Sequence, residues 1–154
     1  MTISYDWREP FDNHEVGALH AAGFGYEPSG YDWWAQVSRH SLGWVCARDG
    51  GRLVGFVNVA WDGSGHAFIL DTVVAADARR LGVGTGLVDE AVRRASAAGC
   101  EWLHVDFEEH LRDFYVDACG FRATGAGLIA LPTAGIPRKS GSATSDPDMT
   151  VGLT

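Results

Sequence analysis

The sequence predicts an α+β fold in which helices flank a mixed, mostly antiparallel sheet. Two observations indicate this class. Two apolar segments, 44–47 and 53–61, are joined by Asp49-Gly50-Gly51, which is the turn chemistry of an antiparallel hairpin. Farther along, an amphipathic helix over about residues 84–98 lies between two further strands, which gives a single strand–helix–strand unit.

The segment before the hairpin is predicted to hold one strand and two helices. They are a strand at 3–7, a helix from about 13 to 22 and a short helix around 33–37. Asp12 or Asn13 is a suitable N-terminal cap for the first helix. Gly23 and Gly25 are suitable residues to end it.

After the hairpin, strands and helices alternate. The predicted elements are a strand at 66–74, the helix at about 84–98, a strand at 102–107, a helix at about 110–119 and a last strand from Gly120 through about Leu131. From Pro132 to Thr154, small and polar residues dominate. That composition predicts a flexible tail, so the single domain is expected to cover residues 1–131.

The composition is that of one folded domain. The chain has 154 residues, of which 46% are hydrophobic and 21% charged, and these values suffice for one core. No apolar run approaches the ~20 residues that cross a bilayer, and the N-terminus lacks a signal-peptide pattern. We therefore expect a cytoplasmic protein with no membrane partner.

Charge and cysteine content exclude further classes. The net charge of −8 argues against nucleic acid as a partner, because phosphate backbones require a cationic surface, and it is compatible with a cationic acceptor. The three cysteines are widely spaced and form no CxxC pair. The pattern predicts neither a zinc site nor a disulfide framework.

The segment from residue 70 to residue 88 carries the clearest functional signal. A strand ends at Val74, and Gly82 and Gly84 then open a helix. Helix N-termini present unpaired N–H groups and the positive end of the helix dipole, and glycines let the backbone approach an anion closely. Arg79 and Arg80 add positive charge beside this point. The segment is therefore predicted to hold a pyrophosphate.

Two other phosphate-binding motifs fit less well. A Rossmann motif would require a third glycine where the chain has Leu87, although Asp106 stands near the position of a ribose-binding acid. The antiparallel strands before Gly82 also argue against that fold. A P-loop is excluded because no Gly-Lys-Ser/Thr sequence follows.

Two sequence blocks resemble the GNAT family of N-acetyltransferases. The first is Arg79-Arg80-Leu81-Gly82-Val83-Gly84, preceded by the strand end Thr72-Val73-Val74. The second is Phe114-Tyr115 followed by Cys119-Gly120-Phe121. The resemblance covers roughly residues 43–131. It departs from the family at Ala76, where proline is common, and at Glu108, which lies near a common asparagine.

The resemblance implies a three-layer α/β/α fold and acetyl-CoA as co-substrate. The residues that it assigns to acetyl-CoA binding are Thr72, Val73, Val74, Arg79, Arg80, Leu81, Gly82, Val83, Gly84 and Thr85. It also implies direct transfer of an acetyl group to a primary amine of a small molecule or peptide. Homodimers are common in this family, so a homodimer is a further expectation by analogy.

The implied reaction requires three groups from the protein. By resemblance, backbone N–H near Val74 stabilises the developing oxyanion. Tyr115 is the candidate donor of a proton to the leaving thiolate, and Asp71 is the candidate base that removes a proton from the amine. Glu108 and His66 are weaker candidates for the base.

Two other residue groups are weaker candidates for a site. His104, Asp106, Glu108 and His110 alternate and would share one face of a strand, where they could bind a metal, but the strand is expected to end near Phe107. An aromatic group before the hairpin could shape the acceptor pocket. Its members are Tyr26, Tyr31, Trp33 and Trp34.

The sequence leaves two alternative functions open. One is a non-catalytic acyl-CoA-binding or regulatory domain that retains the anion site without turnover. The other is a dinucleotide-binding protein. Binding and turnover assays with acetyl-CoA and NAD separate these functions from an N-acetyltransferase.

Overall fold

A five-stranded sheet forms the centre of the fold. The computed structural model describes residues 1–132 of the chain. The strands are β1 (Ile3–Trp7), β2 (Ser41–Asp49), β3 (Arg52–Trp61), β4 (His66–Val74) and β5 (Trp102–Val105). They lie side by side in that order, with β1 to β4 antiparallel and β5 parallel to β4. The predicted mixed, mostly antiparallel sheet is confirmed.

Helices cover both faces of the sheet. They are α1 (Asn13–Phe24), α2 (Trp33–His40) and α3 (Val83–Ala97), followed by a 3-10 turn (Glu109–Leu111) and a π-helix (Asp113–Ala118). Successive strand residues point to opposite faces. Trp44 and Cys46 of β2 therefore pack with α1 and α2, whereas Val45 and Ala47 pack with α3. These contacts give the three layers that the resemblance implies.

Helix α1 begins at the predicted cap and ends later than predicted. Asp12 accepts a hydrogen bond from His14 N–H at 2.7 Å and caps the helix. Gly25 takes the left-handed conformation, with φ of 73°, and ends it. Gly23, which was also predicted to end the helix, lies inside α1.

The predicted last strand is wrong. Residues 121–132 form no helix or strand, and Leu128, Ile129 and Leu131 are 81%, 86% and 78% exposed. Gly125 and Gly127 weaken a strand because they add backbone entropy and no side chain to pack. β5 itself has only four residues. Its short edge offers few backbone partners to a sixth strand.

The predicted helix over about 110–119 is present as a 3-10 turn and a π-helix. Cys119 N–H donates to Phe114 C=O, five residues earlier, at 2.9 Å. Single π-turns of this kind occur frequently at functional sites. The predicted flexible tail lies outside the described residues, apart from Pro132. Over residues 1–132, no helix has both the length and the apolar character needed to cross a membrane.

The surroundings of two glycines in α1 predict different effects of a glycine-to-alanine substitution on the free energy of unfolding. A Cβ at Gly23 would lie 2.3 Å from Val73 Cγ2, a stiff and fully buried side chain of β4. A Cβ at Gly17 would lie 3.5 Å from Trp33 Nε1, an ordinary contact. We expect Gly23→Ala to lower the free energy of unfolding by about 1–3 kcal/mol through overpacking. Gly17→Ala should leave it unchanged or raise it by up to about 1 kcal/mol.

Urea denaturation of both variants measures this difference. A Gly23→Ala protein as stable as Gly17→Ala would mean that α1 does not pack against β4 as closely as described.

Candidate active site

The parallel pair β4–β5 opens at its carboxyl end. Cross-strand pairing runs from His66 and Trp102 to Ile69 and Val105, where it stops. β4 nevertheless continues to Val74. Among residues 1–132, the edge of β4 that faces β5 is therefore unpaired from residue 70 to residue 74.

A bulge at Asp71 reverses the alternation of β4 side chains between the two layers, since Ile69 and Val74 pack on the α3 side and Val73 packs on the α1 side. Pairing with β3 is irregular at this point, and Asp71 has a positive φ of 59°, which costs about 1–3 kcal/mol in a non-glycine residue. The Asp71 carboxylate contacts His20 of α1, whereas Thr72 lies beside Tyr115 of the π-helix. The two faces of the sheet thus each present one polar group beside the open edge.

The N–H of Val74 points toward the open edge of β4. Ala75 N–H donates to Val54 C=O at 2.8 Å, and Val74 is opposite Gly55. Backbone groups of successive residues alternate in direction in an antiparallel ladder, so the N–H and C=O of Val74 point away from β3. The Val74 C=O accepts a hydrogen bond from Arg79 Nε at 3.2 Å, in agreement with that direction.

Within the described residues, the N-terminus of α3 has no side-chain cap. Asp12 and Asp32 cap α1 and α2, but α3 follows Gly82, which has φ of 80° and supplies no side-chain acceptor. Gly86 N–H donates to Gly82 C=O at 3.0 Å. The N–H groups of residues 83–85 precede this bond and have no acceptor within the helix. They favour an anion, as does the helix dipole.

The two glycines of this segment serve different structural needs. A Cβ at Gly82 would have no atom within 4 Å, so its positive φ is what favours glycine there. A Cβ at Gly84 would lie 3.1 Å from the ring of Phe114. Gly84 therefore also allows the π-helix to pack against α3, a role that the sequence interpretation did not include.

The remaining residues of the segment differ in what they can present to a ligand. Arg80 and Leu81 are exposed, whereas Val83 is buried in the core, so only its backbone is available. Thr85 is half-buried in the first turn of α3. Asp77, the nearby acid, pairs with Arg52 at 2.9 Å.

The two arginines of this segment keep their charge uncompensated. Within residues 1–132, neither Arg79 nor Arg80 forms an ion pair. Because Asp77 is paired elsewhere, the positive charge beside the α3 N-terminus is available to a phosphate.

Tyr115 is enclosed by aromatic rings. Its ring centroid lies 5.3 Å from that of Phe107, 4.8 Å from Phe114 and 5.8 Å from Phe121. Burial raises the pKa of Tyr115 to about 12, and the nearby Thr72 hydroxyl offsets only part of that rise. The phenol is therefore protonated at neutral pH and able to donate.

Thr72 has a buried hydroxyl that lacks a hydrogen bond. Its Oγ1 has no partner in the described part of the chain, and its approach to Tyr115 does not meet hydrogen-bond geometry. Buried hydroxyls almost always have a partner. A ligand group beside β4 would satisfy it.

Asp71 lies at the centre of a buried polar chain. His20 Nε2 is 3.2 Å from its Oδ1, and Asn58 Nδ2–H donates to its Oδ2 at 3.3 Å. On either side, Tyr26 Oη lies 2.5 Å from His20 Nδ1, and Ser41 Oγ–H donates to Asn58 Oδ1 at 2.5 Å. The Asp71 side chain is 11% exposed.

Sequence reasoning missed His20, Asn58 and Ser41. The available signal for His20 was its place four residues after Val16, on the buried face of α1. A histidine there must have a polar partner, but the sequence does not show which one.

A cavity of about 300 Å³ lies beside Tyr26, between α1 and the loop that leads to α2. Tyr26, Tyr31 and Trp33, three of the four aromatic residues noted in the sequence, line it. Trp34 does not; it is 40% exposed and packs edge-on against Phe11 and Trp44. The cavity is on the α1–α2 face, and His20 connects it to β4.

The weaker candidates for the base and for a metal site lie apart from the polar chain around Asp71. His66 Nδ1 contacts His104 Nε2 at 2.7 Å on the exposed face of β4 and β5. Glu108 is exposed and contacts His110 at 3.5 Å. β5 ends at Val105, so the alternating residues from 104 to 110 do not share one strand face. Among residues 1–132, no three potential ligands are grouped for a metal.

Comparisons with known proteins identify the family. The family model "Acetyltransferase (GNAT) family" matches residues 4–121. No curated protein sequence matches the chain. The chain therefore belongs to the GNAT family, and it is an acyltransferase of the N-acetyltransferase class.

Solved structures show the same fold. A GNAT family acetyltransferase from Streptococcus pneumoniae is 22% identical, with a TM-score of 0.70 over 86% of this chain and 100% of that one. An acetyltransferase from Trypanosoma brucei is 20% identical, with a TM-score of 0.68 over 84% and 100%. AAC(6')-Iy, in complex with a CoA-containing bisubstrate analogue, is 18% identical, with a TM-score of 0.62 over 85% and 99%.

Proposed function

We propose that the protein transfers an acetyl group from acetyl-CoA directly to a primary amine of a small molecule or peptide. The observation that carries this proposal is the uncapped N-terminus of α3 beside the unpaired edge of β4. The family uses acetyl-CoA, and one structural neighbour holds a CoA-containing analogue. Both findings support acetyl-CoA as the donor here.

The residues of the site fit acetyl-CoA. The N–H groups of Val83, Gly84 and Thr85 would hold its pyrophosphate, together with Arg79 and Arg80. The unpaired edge from Thr72 to Val74 would pair with the amide groups of its pantetheine arm, and Leu81 and Gly82 would border it. The Thr72 Oγ1, which is buried and has no hydrogen-bond partner among the described residues, also favours a ligand along β4.

The described residues include a candidate group for each step of this reaction. When bound, acetyl-CoA supplies an activated acetyl group on a thioester. The Val74 N–H, directed away from β3, would stabilise negative charge on the carbonyl oxygen. Tyr115 would donate to the leaving sulfur. Asp71 would contribute the negative charge that draws a proton from the amine.

The acceptor cavity suits a compact cation. Tyr31 and Trp33 contribute aromatic surface. Burial raises the pKa of both Tyr26 and Tyr31, and the nearby Asp71 carboxylate raises each pKa further. Aromatic faces and nearby negative charge both favour an ammonium group. The net charge of −8 continues to argue against a nucleic-acid substrate.

Thermal unfolding in the presence of acetyl-CoA, CoA or NAD tests the donor site. At about 100 times its Kd, a ligand adds roughly 2.7 kcal/mol, which for a domain of this size raises the Tm by about 5–10 °C. We expect this rise with both CoA compounds and none with NAD. Arg80→Ala should weaken acetyl-CoA binding about 10-fold. The control is Arg39→Ala on α2, which should bind normally.

Each other outcome favours one of the alternative functions. A rise with NAD alone would favour a dinucleotide-binding protein. Binding of acetyl-CoA without product from any member of a broad amine panel would favour a non-catalytic acyl-CoA-binding domain.

A further inference from the structure

A chain of hydrogen bonds crosses the contact between α1 and β4 and ends at the cavity. His20, which is 5% exposed, contacts Tyr26 Oη through Nδ1 and Asp71 Oδ1 through Nε2. Its ring is stacked on Phe24 at 4.1 Å and lies 4.6 Å from Trp33. These contacts fix the plane of the imidazole, so each nitrogen has one defined partner.

Chemistry fixes the direction of each hydrogen bond. A carboxylate only accepts, so His20 Nε2 carries the proton that faces Asp71. In the neutral imidazole, His20 Nδ1 is then an acceptor, and the Tyr26 O–H donates to it. Asn58 Nδ2–H donates to the second oxygen of Asp71 at 3.3 Å. The three side chains have the arrangement of a base oriented by an acid, with a hydroxyl at the outer end.

The surroundings of His20 contain few other groups that titrate. Asp71 of β4 faces Nε2, and Tyr26 faces Nδ1. Burial raises the pKa of Tyr31, and the nearby Asp71 and Asp32 carboxylates raise it further. Phe24 and Trp33 are apolar neighbours. A proton that enters at Tyr26 would therefore convert the His20 imidazole to an imidazolium, and the Asp71 carboxylate lies beside that positive charge.

We propose that His20 removes the proton of the acceptor's ammonium group through Tyr26, while Asp71 positions the imidazole. This inference rests on the proposed transfer of acetyl to an amine. The ammonium gives one proton to Tyr26 Oη as the Tyr26 proton passes to His20 Nδ1. The products are a neutral amine, an unchanged tyrosine and an imidazolium beside the Asp71 carboxylate. The imidazolium later returns the proton through Tyr26 to water in the cavity.

The proton count of the reaction agrees with this step. An ammonium that becomes an amide loses two protons. One is released through His20 before attack. The other is lost after attack and restores the proton that Tyr115 gives to the CoA sulfur. Tyr26 is the catalytic residue at the cavity, and His20 and Asp71 act through it.

The test compares single-turnover acetyl transfer by wild type, Tyr26→Phe, His20→Ala and the double variant at saturating acetyl-CoA. The acceptor is the best amine from a panel of compact primary amines. We expect Tyr26→Phe to be slower by about 10- to 100-fold and His20→Ala by about 100-fold. Because the two act as a unit, the double variant should be no slower than His20→Ala.

Chemical rescue separates a proton-transfer role from a structural one. His20→Ala leaves a slot between Phe24 and Trp33, so free imidazole should restore at least about 10-fold of the rate, and weaker-base imidazoles should restore less. Acetyl-CoA affinity should be unchanged in every variant. His40→Ala, at the exposed end of α2, is the control and should transfer normally without rescue.

The outcomes are distinct. If wild type transfers acetyl and Tyr26→Phe does so within twofold of its rate, the relay is overturned while the proposed function stands. Tyr26→Phe alone carries this test if His20→Ala does not fold. If wild type transfers acetyl to no amine, the proposed function itself fails, and the relay fails with it.

Discussion

Asp71→Asn is expected to slow acetyl transfer by about 100-fold while leaving acetyl-CoA affinity within twofold of the wild type. The carboxylate accepts hydrogen bonds from His20 and Asn58 and is 11% exposed, so little water is present to replace its charge. Asparagine has nearly the same shape but carries an N–H₂ group. That group would face either the Nε2–H of His20 or the amide of Asn58, and one hydrogen bond would be lost.

The rate loss should be accompanied by a modest loss of stability. Replacing a charge-assisted hydrogen bond inside the protein typically costs about 1.5–3 kcal/mol. Asp6→Asn, at an exposed position of β1, is the matched control and should change neither quantity. Single-turnover rates and urea denaturation measure the two effects. A normal rate and an unaltered pH profile in Asp71→Asn would remove Asp71 from the mechanism.

The parts of the fold that were predictable from sequence are those fixed by local turns and caps. β4 begins and ends at the predicted residues because Asp62-Gly63-Ser64-Gly65 turns the chain before it and Ala75 follows it. Gly50, with φ of 59°, lies in the predicted hairpin turn. These signals depend on neighbouring residues only, so they need no knowledge of tertiary contacts.

The last strand shows where local pattern is insufficient. Leu128, Ile129 and Leu131 form an apolar segment that predicts a strand, but a strand requires an edge to pair with. Residues 121–132 do not pair with any described strand, and the apolar side chains of this segment are exposed. Whether an edge is available depends on the length of β5, which the segment itself does not encode.

The candidate site likewise has one part that local sequence predicts and another part that depends on tertiary packing. The residues from Thr72 to Thr85 are contiguous. The end of a strand, a glycine turn and the start of a helix could therefore be predicted from one continuous segment. The partners of Asp71 are distant: His20 is 51 residues away and Asn58 is 13 residues away. Their approach depends on the bulge in β4 and on how α1 packs, and neither has a local sequence signal.

Tyr115→Phe is expected to lower kcat by about 100-fold, equivalent to roughly 2.7 kcal/mol, with little change in the KM for acetyl-CoA. Phenylalanine retains the ring contacts with Phe107, Phe114 and Phe121, so the π-helix should keep its packing. What is lost is the hydroxyl near Thr72, the group able to donate to the leaving sulfur. Tyr5→Phe, beside Gly86 of α3, is the control for loss of a phenol elsewhere.

The raised pKa of Tyr115 gives this prediction a second measurement. Burial raises that pKa from the ordinary tyrosine value of 10.0 to about 12 in the folded protein. The phenol therefore contributes stability that is complete below pH 10 and is lost as the pH rises from about 10 to about 12. Tyr115→Phe should therefore remove the part of the alkaline loss of stability that comes from Tyr115. Tyr5→Phe should remove less of that loss, because Tyr5 is less buried and its pKa is raised by this weaker burial. If Tyr115→Phe keeps normal turnover but loses stability differently at alkaline pH, then Tyr115 stabilises the fold and does not donate a proton in the reaction.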